Sequence, residues 1–215
     1  MLLALDTATR RASVALHDGT HLRSECTWEA AKRHTVTLLP TIVQLLAASD
    51  LTAADLTAIG VCIGPGSYTG VRIGVAVAKG LAAARKLSLV GVTTLDILIA
   101  AQPQDDRPVY ATFAAGRRRV GYARYRWRDG GWQAETGVQV SSWQHFADAL
   151  ELPAVVVGEI ETGGREALRT LYGRVEVPEP AHHLRRAGFL ADTAWRRLRA
   201  NQVDAPSALL PLYVR

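Results

Sequence analysis

The sequence predicts an α/β protein built from two small lobes, and three observations carry that prediction. Strand-like and helix-like stretches alternate in the first hundred residues in the order βββαβαβα. A polar stretch with two prolines, "AAQPQDDRP" (100–108), then breaks the pattern. A second set of strands and helices follows it, and 215 residues are enough for two cores. The expected lobes are 1–103 and 104–215.

"LLALDTAT" (2–9) reads as a buried strand that ends at an acid, Asp6. "RASVALHDGTHLRSECTW" (11–28) reads as two antiparallel strands joined at Asp18-Gly19, a dipeptide that favours hairpin turns. Residues 29–47 have helical spacing with two apolar stripes, one of Val36, Leu39, Val43 and Leu46, the other of Leu38, Ile42 and Leu45. Pro40 lies inside this helix and is expected to kink it. "AIGVCI" (58–63) is a strand, "GPGSYTG" (64–70) a turn, and 67–86 a helix. "LSLVGV" (87–92) is the next strand, and Thr94 to Ala101 a short helix.

In the second lobe, "VYATFAAG" (109–116) and the arginine-rich 118–140 read as strands, with a turn at Asp129-Gly130-Gly131. Helices are expected near 142–150 and 162–171 around the strand "AVVVG" (154–158), and a last helix near 186–201. There is no repeat of 20–50 residues.

Composition excludes several classes. Apolar residues make up 48% and charged residues 21%, an ordinary globular mixture. The N-terminal apolar run meets Asp6 too early for a signal peptide, and no run approaches a membrane span. Cys26 and Cys62 are far apart, which fits a reducing, cytoplasmic setting and no metal pair. The net charge of +5 permits contact with RNA without demanding it.

Two chemistries are open for "GPGSYTG". Gly64, Gly66 and Ser67 at a helix start offer backbone N–H groups to an anion, and Asp6-Thr7 could hold a magnesium-bound phosphate, or Asp6 could simply cap the turn. The spacing is neither G-x-G-x-x-G nor Walker A, and a plain strand-to-helix turn needs the same glycines. The helix that follows suggests an interface instead. Gly70, Gly74 and Ala78 recur every four residues beside Ile73 and Val77, a pattern that lets a second helix approach closely. Val36, Leu39 and Val43 of the preceding helix would join them in contact with another polypeptide; the alternative is that the two helices cover each other within one chain. Histidines and serines form no metal or triad motif. Arg117, Arg118, Arg119, Arg124, Arg126 and Arg128, interleaved with Tyr122, Tyr125 and Trp127, fit an RNA surface, but a half-buried strand produces the same alternation.

"LALDTAT", "RHTVTLLPTI", "IGPGSYTGVRIGVAVAKGLA", "LVGVTTLD" and the ending "PLYVR" together resemble the TsaB (YeaZ) family of tRNA threonylcarbamoyladenosine synthesis. The resemblance is close over the first hundred residues and the tail. It implies an ASKHA fold, the actin and sugar-kinase architecture, with two ribonuclease H-like lobes and mixed sheets. It also implies a non-catalytic accessory subunit that binds a TsaD-like catalytic subunit, with a TsaE-like ATPase joining the pair. A homodimer in isolation and only indirect contact with tRNA are expected with it. TsaD-like subunits carry His-x-x-x-His after the Val-Gly-Val strand to hold a metal; Thr94 and Leu98 stand at those places here. The expectation is therefore no metal and no catalytic residue, with Asp6, Thr7, Gly64, Gly66 and Ser67 as a vestigial site for weak ATP or ADP with magnesium. The alternative is an active ASKHA-type ATPase or phosphotransferase using Asp6 and Gly64–Ser67. The family has a D-A-R or D-A-G-R segment after the first strand of the second lobe. Ala114-Ala115-Gly116-Arg117 keeps its end and lacks the acid.

Overall fold

A computed structural model describes residues 1–31 and 33–214. The chain divides into two compact units. The first comprises Met1–Ile97 and Arg185–Tyr213, the second Leu98–Leu184 and Val214 onward.

In the first unit, β1 (Leu2–Asp6), β2 (Arg11–His17) and β3 (Leu22–Glu29) form an antiparallel meander. The strands β4 (Ala58–Cys62) and β5 (Ser88–Val92) add in parallel to the other side of β1, giving the order β3-β2-β1-β4-β5. Helix α1 (His34–Ala47) leads into β4, and α2 (Tyr68–Arg85) crosses from β4 to β5, as parallel neighbours require. The two helices pack side by side, α1 over β2 and β3, α2 over β1, β4 and β5. The central strands β1 and β4 are buried along their whole length and read as continuous apolar runs because helices cover both faces.

The other face is covered by α6 (Ala187–Arg199), which packs across all five strands. Its Ala194 Cβ lies 2.8 Å from where a Cβ on Gly60 of β4 would stand. The lobe boundary therefore differs from the expected 1–103 and 104–215. The division falls at Ile97/Leu98, within α3 (Thr94–Ala100), and Arg185–Tyr213 returns to the first unit. The reason is that α6 presents Leu190, Ala191 and Ala194 to the sheet of the first unit, whose outer face would otherwise lie bare.

The helix expected over 29–47 starts at His34, because Glu29 still pairs with Arg11 as the end of β3. It runs on through Pro40, and the Thr41 hydroxyl donates to the Thr37 carbonyl on the next step. The carbonyl that Pro40 cannot serve belongs to Val36, which is exposed, so solvent is available to it.

The second unit has β6 (Val109–Ala114), β7 (Arg119–Arg128), β8 (Gly131–Ala134), β9 (Gln139–Ser142), β10 (Ala154–Gly158) and β11 (Val175–Glu176). Their order is β11-β10-β6-β7-β8, with β9 also pairing β7. Helices α4 (Trp143–Asp148) and α5 (Thr162–Arg169) pack together, and Tyr110, Tyr122, Trp143 and Phe146 form an aromatic core. Both sheets mix parallel and antiparallel pairs, as the family resemblance implies.

Candidate functional site

The turn after β1 and the start of α2 meet at the most constrained place in the first unit. Asp6 is buried. Its Oδ1 accepts the Ala8 N–H at 2.8 Å, and its Oδ2 accepts from the Arg185 guanidinium at 3.1 Å. Arg185 also donates to the Thr9 hydroxyl, and both members of the ion pair are almost wholly enclosed. The Thr7 hydroxyl donates to the Gly70 carbonyl at 2.7 Å, and the Ser67 N–H donates to the Ala8 carbonyl at 2.6 Å. Ser67 Oγ caps α2 by accepting the Gly70 N–H.

The glycines explain this arrangement. A Cβ added to Gly66 would lie 2.2 Å from the Ala8 carbonyl oxygen, and one on Gly70 would lie 2.2 Å from that of Thr7. A Cβ on Gly74 would lie 2.4 Å from Thr7 Oγ1. The glycines thus let α2 lie directly on the chain's own first turn. Ala78, one step further, is buried on the same side. The expected role of Gly70, Gly74 and Ala78 in a partner interface is therefore corrected: close approach is required, but the approaching backbone is internal.

The same contacts test the nucleotide site. A magnesium-bound phosphate needs free carboxylate oxygens at Asp6 and free N–H groups at the turn. Here the Asp6 oxygens serve Ala8 and Arg185, the Ser67 N–H serves Ala8, and an arginine stands beside the carboxylate where a cation would be wanted. Asp6, Thr7, Gly64, Gly66 and Ser67 come together as expected, yet they do not fit a magnesium nucleotide.

Thr94 is equally committed. Its hydroxyl donates to the Pro65 carbonyl at 2.6 Å and lies 3.3 Å from Cys62 Sγ. Burial, reinforced by the Asp6 charge, pushes the Cys62 thiol far up, so it stays protonated and is no nucleophile. Leu98 is fully buried.

The second candidate is the outer helix face. Helix α1 buries His34, Leu38, Ile42 and Leu46 and leaves Val36 61%, Leu39 49% and Val43 64% exposed. Leu46, expected on the stripe with Val36, faces inward instead. On α2, Ile73 and Val77 are half-buried, while Arg72, Ala76 and Gly80 are exposed. Five of the eight expected interface residues, Val36, Leu39, Val43, Ile73 and Val77, are thus at least partly accessible.

Sequence reasoning missed two contributors to these sites. Arg185 lies 179 residues from Asp6 and no motif announces it. The C-terminal tail, noted only as a resemblance, lies along α2. Arg72 stacks on Tyr68 at 3.8 Å and donates to the Tyr213 hydroxyl at 2.7 Å, while Lys79 donates to the Leu209 carbonyl. Tail and helix border an open groove of about 630 Å³ between Arg72, Lys79, Leu210 and Tyr213.

The arginines of the second unit separate into two sets. Arg124, Arg126 and Arg128 lie within 2.6–3.1 Å of Glu135 or Glu151. Hydrogen bonding from Arg126 holds the Glu151 carboxyl below its usual range. Arg117 and Arg118 occupy an exposed turn between β6 and β7, and Arg119, also exposed, opens β7.

Comparison with known proteins places this geometry. Residues 28–193 match the family described as TsaD, tRNA N6-adenosine threonylcarbamoyltransferase. The chain is 44% identical over 96 residues to the tRNA threonylcarbamoyladenosine biosynthesis protein TsaB of Escherichia coli (strain K12), a match covering 44% of this chain and 40% of that protein. It is 29% identical over 175 residues to the TsaB protein of Bacillus subtilis (strain 168), covering 80% and 76%. The match thus spans less than half the length of the first relative and about three quarters of the second. A Pseudomonas aeruginosa crystal structure, described as similar to peptidase YeaZ, superposes with a TM-score of 0.81 at 26% identity over 100% of this chain and 99% of that one. The mixed five-stranded sheet, the glycine contact between α2 and the first turn, and these matches lead to one conclusion: the chain has the ASKHA fold and belongs to the TsaB (YeaZ) family of tRNA threonylcarbamoyladenosine biosynthesis proteins.

Proposed function

We propose that this chain is a non-catalytic accessory subunit that binds and supports a TsaD-type catalytic subunit of the tRNA modification machinery in the cytoplasm. The observation that carries the reading is the open stripe of Val36, Leu39 and Val43 on α1. Covering such side chains contributes about 1 kcal/mol or more each, and a cluster of them at the surface marks a protein contact. The half-buried Ile73 and Val77 extend the stripe onto α2. Without its partner the chain covers the same stripe with a second copy. A TsaE-type ATPase joins the pair.

The alternative of an ATPase or phosphotransferase lacks support from the residues, because Asp6 is paired to Arg185 and the Ser67 N–H is given to the Ala8 carbonyl. It makes a separate prediction: magnesium-dependent ATP turnover by the isolated chain, abolished by Asp6→Ala.

The test is co-purification of the full chain with a TsaD-type subunit. Val36→Glu with Val43→Glu should abolish capture while the variant keeps the wild-type circular dichroism spectrum and a cooperative melt. Undiminished capture by that folded variant would refute the reading.

A further inference from the structure

We propose that the Gly116–Arg119 turn of the second unit is a contact for the phosphodiester backbone of RNA. The proposal rests on the family's place in tRNA modification and not on the α1 interface, so the two stand or fall separately.

The first observation is charge. Three arginines in succession project from one tight turn, closed by the Ala115 N–H to the Arg119 carbonyl and the Arg119 N–H to the Gly116 carbonyl, both 3.0 Å. Among the described residues no carboxylate pairs with Arg117, Arg118 or Arg119, whereas every arginine further along β7 is matched to Glu135 or Glu151. The chain balances the arginines inside β7 and leaves those of the turn and the first residue of the strand unbalanced.

The second observation is backbone conformation. Arg117 has φ 52° and Arg118 φ 59°, both left-handed. Turns of this kind favour Asn and Gly, and each bulky residue there costs roughly 1 kcal/mol. The geometry is held at a cost, and what it delivers is three exposed arginines at adjacent positions.

Adjacent exposed arginines suit a run of phosphates, since each planar fork takes its own oxygen pair. Base recognition is not expected. Tyr122 and Tyr125 are buried, and Trp127 is packed edge-on against Trp132 at 5.5 Å, so the neighbouring rings are not open for stacking. The contact therefore reads backbone, not sequence, and its affinity depends steeply on salt.

The experiment is filter binding of an unmodified tRNA transcript to the full chain across a salt series. Arg117→Ala, Arg118→Ala and Arg119→Ala together should weaken binding by about tenfold or more and flatten the plot of log K against log salt by about 2 to 3. Arg117→Asn with Arg118→Gly relieves the left-handed strain, so it should melt above wild type while binding tRNA more weakly. That opposition separates an RNA role from a structural one. Val36→Glu with Val43→Glu should leave tRNA binding unchanged, which keeps this test apart from that of the partner interface. Equal affinity and slope for the triple variant would overturn the proposal. So would absence of salt-dependent tRNA binding by the wild type. Loss of TsaD-type capture with tRNA binding intact would assign the turn to an acidic protein surface and overturn it as well.

Discussion

The inner face of α2 and the outer face of α1 are both poor in polar side chains, and they have opposite fates. Gly70 and Gly74 are pressed against Thr7 and Ala78 is buried below them, while Val36, Leu39 and Val43 face solvent. The contrast shows what a small-residue spacing encodes. It reports that something comes close, and it does not say whether that something belongs to the same chain. Large apolar side chains left exposed carry the other half of the message, because no internal contact accounts for them.

Four perturbations sharpen the contrast, taken here from the largest expected effect to the smallest. Arg185→Ala strands the buried Asp6 charge and should cost about 3–5 kcal/mol, measured by urea unfolding; a loss below about 1 kcal/mol would show that solvent reaches the pair. Gly74→Leu forces a side chain into Thr7 and should destabilise by about 1–3 kcal/mol or more through overpacking. A wild-type melt together with lost association would instead return the glycine face to an interface. Val36→Glu with Val43→Glu should shift stability by only about 0.5 kcal/mol per site yet change the mass seen by light scattering from dimer to monomer. Last comes pH. Burial, ahead of the charges of Arg165 and His182, holds His183 below its ordinary value of 6.5. The folded state therefore binds fewer protons there than the unfolded chain does. The contribution of His183 is complete above 6.5 and falls away as pH drops from 6.5 through the depressed folded value. Melts at pH 7.5 and 5.5 check the sign, and His183→Gln should flatten the dependence.

Much of the first unit was legible because its signals are local. The Asp18-Gly19 hairpin, the apolar runs of β1 and β4 and the turn before α2 each need only a few residues to announce themselves. The start of α1 was less so: Glu29 to Arg33 suits a helix by propensity, yet cross-strand pairing claims Glu29 and Ala31 takes φ 48°. Long-range partners were not legible at all. Periodicity shows that α6 has an apolar stripe but not which sheet it covers, so the helix was assigned to the wrong lobe. Sequence alone leaves Asp6 open between a phosphate ligand and a turn cap; it caps the turn through the Ala8 N–H, and its ion-pair partner, Arg185, is nearly the whole chain away. The arginine run looked uniform in sequence, and only the positions of Glu135 and Glu151 divide it.

The account turns on α1 presenting its exposed stripe to a TsaD-type subunit. Amide hydrogen exchange on the full chain, with and without that subunit, tests it most directly. The account predicts that peptides covering 34–47 slow markedly in the complex, with weaker protection around Ile73 and Val77. Unchanged exchange across 34–47 in a formed complex, with protection appearing elsewhere, would contradict it.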